Sequence, residues 1–127
     1  MFLWCGYNAR VKVYISGPMT GLPHYNYHSF DKMERTLLRL GHEVVNPAEI
    51  GRQIAGSAHL SDEQLRQIMH DNLAALTTCD AIVLLDGHAM SNGARIEVAL
   101  ARYLGLALIT QAMIEHGNIT PTMEEAS

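Results

Sequence analysis

Residues Ala81 to Leu85 (AIVLL) are apolar at every position and are bracketed by Asp80 and Asp86. A run this short with no polar alternation suits a strand buried on both faces, and such strands belong to parallel sheets covered by helices on either side. Three further runs fit the same plan. Val11 to Ser16 (VKVYIS) is β-branched and aromatic and breaks at Gly17-Pro18, His42 to Asn46 (HEVVN) stops at Pro47, and Leu106 to Thr110 (LALIT) follows Gly105.

Helical patterns fill the intervals. Phe30, Met33, Leu37 and Leu38 fall on one helix face, closed by Gly41 where a left-handed cap is usual. A second helix starts at Ser61, with Gln64 three residues on and Asp62 and Glu63 in the first turn; its stripe is Leu65, Ile68, Leu73 and Leu76. A third runs from about Gly93 to Leu104, with Ile96, Leu100 and Tyr103 expected to face inward, and a short one fits near Gln111 to His116. Pro47 to Leu60, with Gly51, Gly56 and Ser57, has weak periodicity and is expected to be a long surface loop with at most a short helical turn. Strand and helix alternate four times. The fold class expected is therefore α/β, a doubly wound (flavodoxin/Rossmann-like) parallel sheet of four to five strands flanked by helices. The 127 residues make one domain, with its core over about 11–110 and a frayed tail over 117–127.

Charge and cysteine content narrow the function. A net charge of −4, with nine scattered Lys and Arg, argues against a binder of polymeric nucleic acid. A small anion remains admissible, because one helix N-terminus can hold a phosphate. Two cysteines, Cys5 and Cys79, are no disulfide framework, Met1 to Cys5 is too short for a signal-peptide core, and no apolar stretch approaches the roughly 20 residues of a membrane span. These features predict a soluble, cytoplasmic protein without membrane partners. The seven histidines show no metal-ligand spacing, and neither GxGxxG nor a P-loop lysine appears, so no metal or cofactor is expected.

In doubly wound sheets ligands bind beyond the C-terminal strand ends. Three segments converge there: Tyr14 to Gly21, the loop before Ser61, and Asp86 to Glu97. In the last, Ser91 or Asn92 caps a helix, Gly93 admits a ligand to the backbone, and the free amides form an anion site. Glu97 lies about 9 Å further along the axis, at 1.5 Å per residue, so one nucleotide spans from its 5′ end at Ser91 to its anomeric carbon at Glu97. Spacing alone also suits Ser91 as a mere cap, Glu97 as a solvated residue and Asp71 as a surface charge.

Four segments together resemble the DUF4406 family: Val13 to Gly21 (VYISGPMTG), Val44 to Ala48 (VVNPA), Cys79 to Leu85 (CDAIVLL) and Ser91 to Glu97 (SNGARIE). That family is common in phages and prophages and belongs to the nucleoside 2-deoxyribosyltransferase-like superfamily, which includes deoxynucleoside 5′-monophosphate N-glycosidases. The resemblance implies that Glu97 attacks the anomeric carbon, that Tyr14 orients it, and that Asp71 assists the leaving base. Serine six residues before the nucleophile, here Ser91, is the mark of the monophosphate hydrolases; the transferases are acidic there. Two segments depart from the pattern. Pro18 and Thr20 stand where the hydrolases carry a serine and an arginine, and His88-Ala89 replaces a Trp-Glu pair, leaving base selectivity open. The candidate substrate-binding residues are Ser16, Gly17, Met19, Thr20, Gly21, Ser91, Gly93, Ala94 and His88. The activity implied is cleavage of a nucleoside or nucleotide N-glycosidic bond, with water or a second base as acceptor. A non-catalytic nucleotide-binding module, or hydrolysis of another N-glycoside such as a nicotinamide dinucleotide, is the alternative. The resemblance also implies a homo-oligomer, a dimer or larger, with the site near the interface. His24, Tyr25 and Tyr27, in a loop beside the pocket, are the candidate contacts.

Overall fold

A computed structural model describes residues 10–19, 21–55 and 60–117. Four strands, β1 (Lys12–Ser16), β2 (Glu43–Val45), β3 (Ala81–Leu84) and β4 (Ala107–Thr110), form one parallel sheet in the order β2-β1-β3-β4. Five helices flank it: α1 (Tyr27–Arg39), α2 (Pro47–Ala55), α3 (Asp62–Leu76), α4 (Asn92–Leu104) and α5 (Gln111–Glu115). The doubly wound arrangement follows from the period-two alternation of β1. Val13 and Ile15 join a core with Phe30, Met33 and Leu37 of α1, Ala48 of α2 and Ile114 of α5. Tyr14 points to the opposite face, into a core with Leu76 of α3 and Ala101 of α4. Every residue of β3 is buried, as its unbroken apolar run requires.

The helix termini are set by local chemistry. Ser61 and Gln64 form a reciprocal capping box at the start of α3, Ser91 Oγ accepts the Ala94 N–H at the start of α4, and Gly105 ends α4 at φ +76°. Gly41, at φ +91°, follows α1.

Three expectations need correction. The segment from Pro47 is not a loop: it begins with nine residues of helix, started by Asn46, whose Oδ1 accepts the Ala48 N–H at 3.0 Å, and by Pro47 with its preset φ. Gly51 is a helical glycine packed against Tyr27: a Cβ there would lie 2.9 Å from the Tyr27 hydroxyl, which would have to shift. Helix α4 is turned by about one residue from the expected phase. Ala94, Glu97 and Ala101 face the sheet, while Ile96 (50% exposed) and Tyr103 (87%) face solvent and Leu100 is half-buried. The two alanines let α4 approach closely, and Glu97 is drawn inward by hydroxyls on β1. Leu38 of α1 is likewise exposed, leaving Phe30, Met33 and Leu37 as the buried face.

Candidate active site

Tyr14 and Ser16 alternate onto one face of β1, and the inward face of α4 brings Glu97 opposite them. The Tyr14 hydroxyl donates to Glu97 Oε2 at 2.5 Å, and the Ser16 hydroxyl donates to Oε1 at 2.7 Å. Both donors are fully buried and Glu97 is 6% exposed. Burial raises the Glu97 pKa above its ordinary value, and the two donated hydrogen bonds act against that rise. Burial, reinforced by the neighbouring Glu97 charge, pushes the Tyr14 phenol well above its usual range and keeps it a donor. Both carboxylate oxygens are thus fixed in direction, with the carboxylate at the inner end of a cavity of about 210 Å³.

The cavity opens at the C-terminal edge of the sheet. Gly17 and Met19 come from the loop after β1, Pro47 and Gly51 from α2, and Leu60, Leu65, Ile68, Met69 and Asn72 from α3 and its approach. The N-terminal turn of α4 adds Ser91, Gly93 and Ala94. Tyr25, Tyr27 and Phe30 complete an aromatic wall. The backbone before α1 is unusual there: His24, Tyr25 and Asn26 have φ of 50°, 53° and 61°, three successive non-glycine residues in the left-handed region. Such a conformation costs about 1–2 kcal/mol per residue, and Asn26 Nδ2 stabilises the turn by donating to the Pro18 carbonyl at 2.9 Å. Tyr27 is held from behind. Arg52 lies 5.2 Å over its ring and bridges to Asp31, while Asn46 Nδ2 donates to both Asp31 and Glu34 at 3.0 Å.

The structure therefore brings together Glu97, Tyr14, Ser16, Gly17, Met19, Ser91, Gly93 and Ala94. Other candidates lie apart. Gly21, at φ +85°, is exposed at the following turn and does not line the cavity, and Thr20 lies outside the described residues. His88 sits in a single 3-10 turn with Nδ1 3.1 Å from the Leu85 carbonyl oxygen, also off the cavity wall. Asp71 is not brought to Glu97: its carboxylate is bonded to Gln67 Nε2 at 2.9 Å and His70 Nδ1 at 3.0 Å on the outer side of α3. One residue is 100° of helical rotation, and Asn72 takes the inward direction instead. The sequence reading missed Asn72 and the α2 contribution. The signals available were the Ile68-Asn72-Leu76 spacing and the Asn-Pro pair that starts α2.

Among solved structures, the chain is similar to a 2-deoxyribosyltransferase from the psychrotolerant bacterium Bacillus psychrosaccharolyticus. Identity is 21% and TM-score 0.59, over 78% of this chain and 70% of that one. A CMP N-glycosidase, BcmB, from Clostridium botulinum also matches at 21% identity and TM-score 0.48, over 78% of this chain and 66% of that one. A comparison with curated proteins by sequence finds no match. The first likeness establishes the α/β fold. The family model described as "Domain of unknown function (DUF4406)" matches residues 11–110, and the chain belongs to that family.

Proposed function

We propose that the protein cleaves the N-glycosidic bond of a nucleoside or nucleoside 5′-monophosphate, with Glu97 as nucleophile. The observation that carries this reading is the buried Glu97 carboxylate, held by the Tyr14 and Ser16 hydroxyls at the inner end of a largely apolar cavity. A carboxylate with both oxygens oriented and little water around it is suited to attack an electrophilic carbon. The likeness in fold to a 2-deoxyribosyltransferase supports the same chemistry. One Glu97 oxygen attacks the anomeric carbon, the carbon–nitrogen bond breaks with its electrons leaving on the base, and a glycosyl ester forms. Water, or a second base, then attacks the same carbon and frees the carboxylate. Glu97 is the only carboxyl lining the cavity among the described residues, and the departing base takes up a proton to complete the step. The substrate's 5′ end lies at Ser91 and the first turn of α4. There the N–H groups of Asn92 and Gly93 have no intrahelical acceptor, whereas that of Ala94 is taken by Ser91 Oγ.

The test is base release from a panel of nucleosides and monophosphates, followed by chromatography. Glu97→Gln and Glu97→Ala should each retain less than a few per cent of the wild-type rate with folding intact. Substantial release by either variant overturns the assignment.

A further inference from the structure

Tyr27 opens α1 on the wall of this cavity, and its neighbours fix where its hydroxyl stands. A Cβ built on Gly51 would lie 2.9 Å from the hydroxyl oxygen, 3.7 Å from Cζ and 3.9 Å from Cε1. The polar end of the ring therefore rests against the backbone of α2, at a point where both Tyr27 and Gly51 line the cavity. Arg52 covers the ring at 5.2 Å, and is itself held by Asp31 at 3.1 and 3.2 Å and by Glu49 at 2.7 Å. The Tyr25 ring stands 5.8 Å away, tilted by 37°.

For all this support, the hydroxyl has no hydrogen-bond partner among the described residues. Tyr27 is half-buried, and its oxygen is open to solvent rather than sealed within the protein. Tyr14 is the contrast, since its hydroxyl is fully committed to Glu97. Burial raises the Tyr27 phenol above its usual range, with the Arg52 charge acting against that rise, so the oxygen keeps its proton at neutral pH. A fixed, protonated and reachable hydroxyl is thus left free on the cavity wall.

That wall faces the one assigned to the sugar. Helices α3 and α4 pack with Tyr14 on one side of the sheet, and α1 and α2 pack with Val13 and Ile15 on the other. With the sugar running along α4 from Ser91 to Glu97, the base is left to the α1 and α2 side. There Tyr25, Tyr27 and Phe30 supply flat apolar surface suited to a planar ring system.

We propose that Tyr27 binds the base of the nucleoside, donating a hydrogen bond from its hydroxyl to a lone pair on that base. The proposal rests on the nucleoside reading above. The acceptor is a ring nitrogen or a carbonyl oxygen, and the two share the same chemistry. A base that presents the lone pair satisfies the hydroxyl; one with a C–H in its place leaves the donor unmatched and binds less tightly.

Tyr27→Phe removes the oxygen and keeps the ring. Nucleoside binding is measured by calorimetry to full-length Glu97→Gln protein, which holds ligand without turnover, and to the same protein carrying Tyr27→Phe. Ligands are paired so that members differ by one acceptor: a base with one ring nitrogen replaced by C–H, or with one carbonyl oxygen absent. In one pair the acceptor-bearing member should bind about tenfold more tightly, the scale of one net hydrogen bond, and Tyr27→Phe should bring that ratio close to one. The pair that responds identifies the acceptor. The melting temperature of unliganded Tyr27→Phe should hold, because the lost hydroxyl bonds to nothing in the described chain. Selectivity unchanged in every pair, or a marked fall in melting temperature that makes the hydroxyl structural, overturns the proposal. Failure of every nucleoside to bind the Tyr27-containing protein is a different result: it overturns the nucleoside reading, and this proposal with it.

Discussion

At the scale of single residues, Glu97 is under two opposed influences, and they set its pH behaviour. Burial raises its pKa, so the fold favours the protonated form. The stability contributed by Glu97 is therefore fully present below the ordinary carboxylate range and is lost as pH rises through its raised value. Attack requires the ionised form, so activity should rise with pH over the same interval. Glu97→Gln should accordingly melt higher than wild type at neutral pH, with the gap closing in acid; calorimetric melting across pH checks this, and a gap that widens in acid would contradict it. Tyr14→Phe removes one of the two donors opposing that rise. The acid limb of the rate profile should move to higher pH, and kcat/KM should fall about ten- to a hundredfold, the worth of a hydrogen bond to a charged group. A limb that stays in place would remove Tyr14 from the role of orienting the nucleophile. Glu97 and Tyr14 entered the sequence reading through the family resemblance, because spacing alone suited Glu97 equally well as a solvated residue; Ser16 was expected to contact substrate, and its hydrogen bond to Glu97 was not legible. Asp71 and Asn72 were not separable, because both flank the same apolar stripe and only packing decides which one turns inward.

At the scale of elements, the helix ends were the most legible features and the faces the least. Ser61-Gln64 and Ser91 carry their capping chemistry locally, and the structure has both caps. The inward face of α4 was misread because it pairs a glutamate with alanines, while Ile96 and Tyr103 occupy the solvent side. Hydrophobicity misleads wherever a buried carboxylate has dedicated donors. Helix α2 was hidden by Gly51, a loop signal in sequence that here makes room for Tyr27. The N-terminal turn of α4 lends itself to a direct trial. Ser91→Asp keeps a good cap, so the helix should persist, but it sets a negative charge where we place the 5′ end. Monophosphate affinity should fall at least about tenfold more than nucleoside affinity, read by calorimetry with the two ligands. Equal losses would move the 5′ end elsewhere.

At the scale of the whole molecule, α4 leaves Ile96 and Tyr103 in solvent, with Met90 also exposed just before the Ser91 cap. Large exposed apolar groups in one region mark association surfaces. With the homo-oligomer implied by the family resemblance, this makes α4, rather than the Tyr25 and Tyr27 wall, the face we expect a second copy to cover. Light scattering at micromolar concentration should give a multiple of 14.0 kDa, and Tyr103→Glu should reduce it toward that value. A wild-type mass of one chain would refute the assembly. No helix among the described residues is long and apolar enough to cross a membrane. The hydrogen bond between Tyr14 and Glu97 spans 83 residues of chain, and β1 lies between β2 and β3 in the sheet. During synthesis Tyr14 leaves the ribosome on the order of ten seconds before Glu97, at the usual elongation rates. For most of that interval the first strand waits without β3, its central partner, and its tyrosine and serine have no carboxylate to hold. The carboxylate and its two donors meet only when the sheet closes, so a half-made chain carries none of the chemistry.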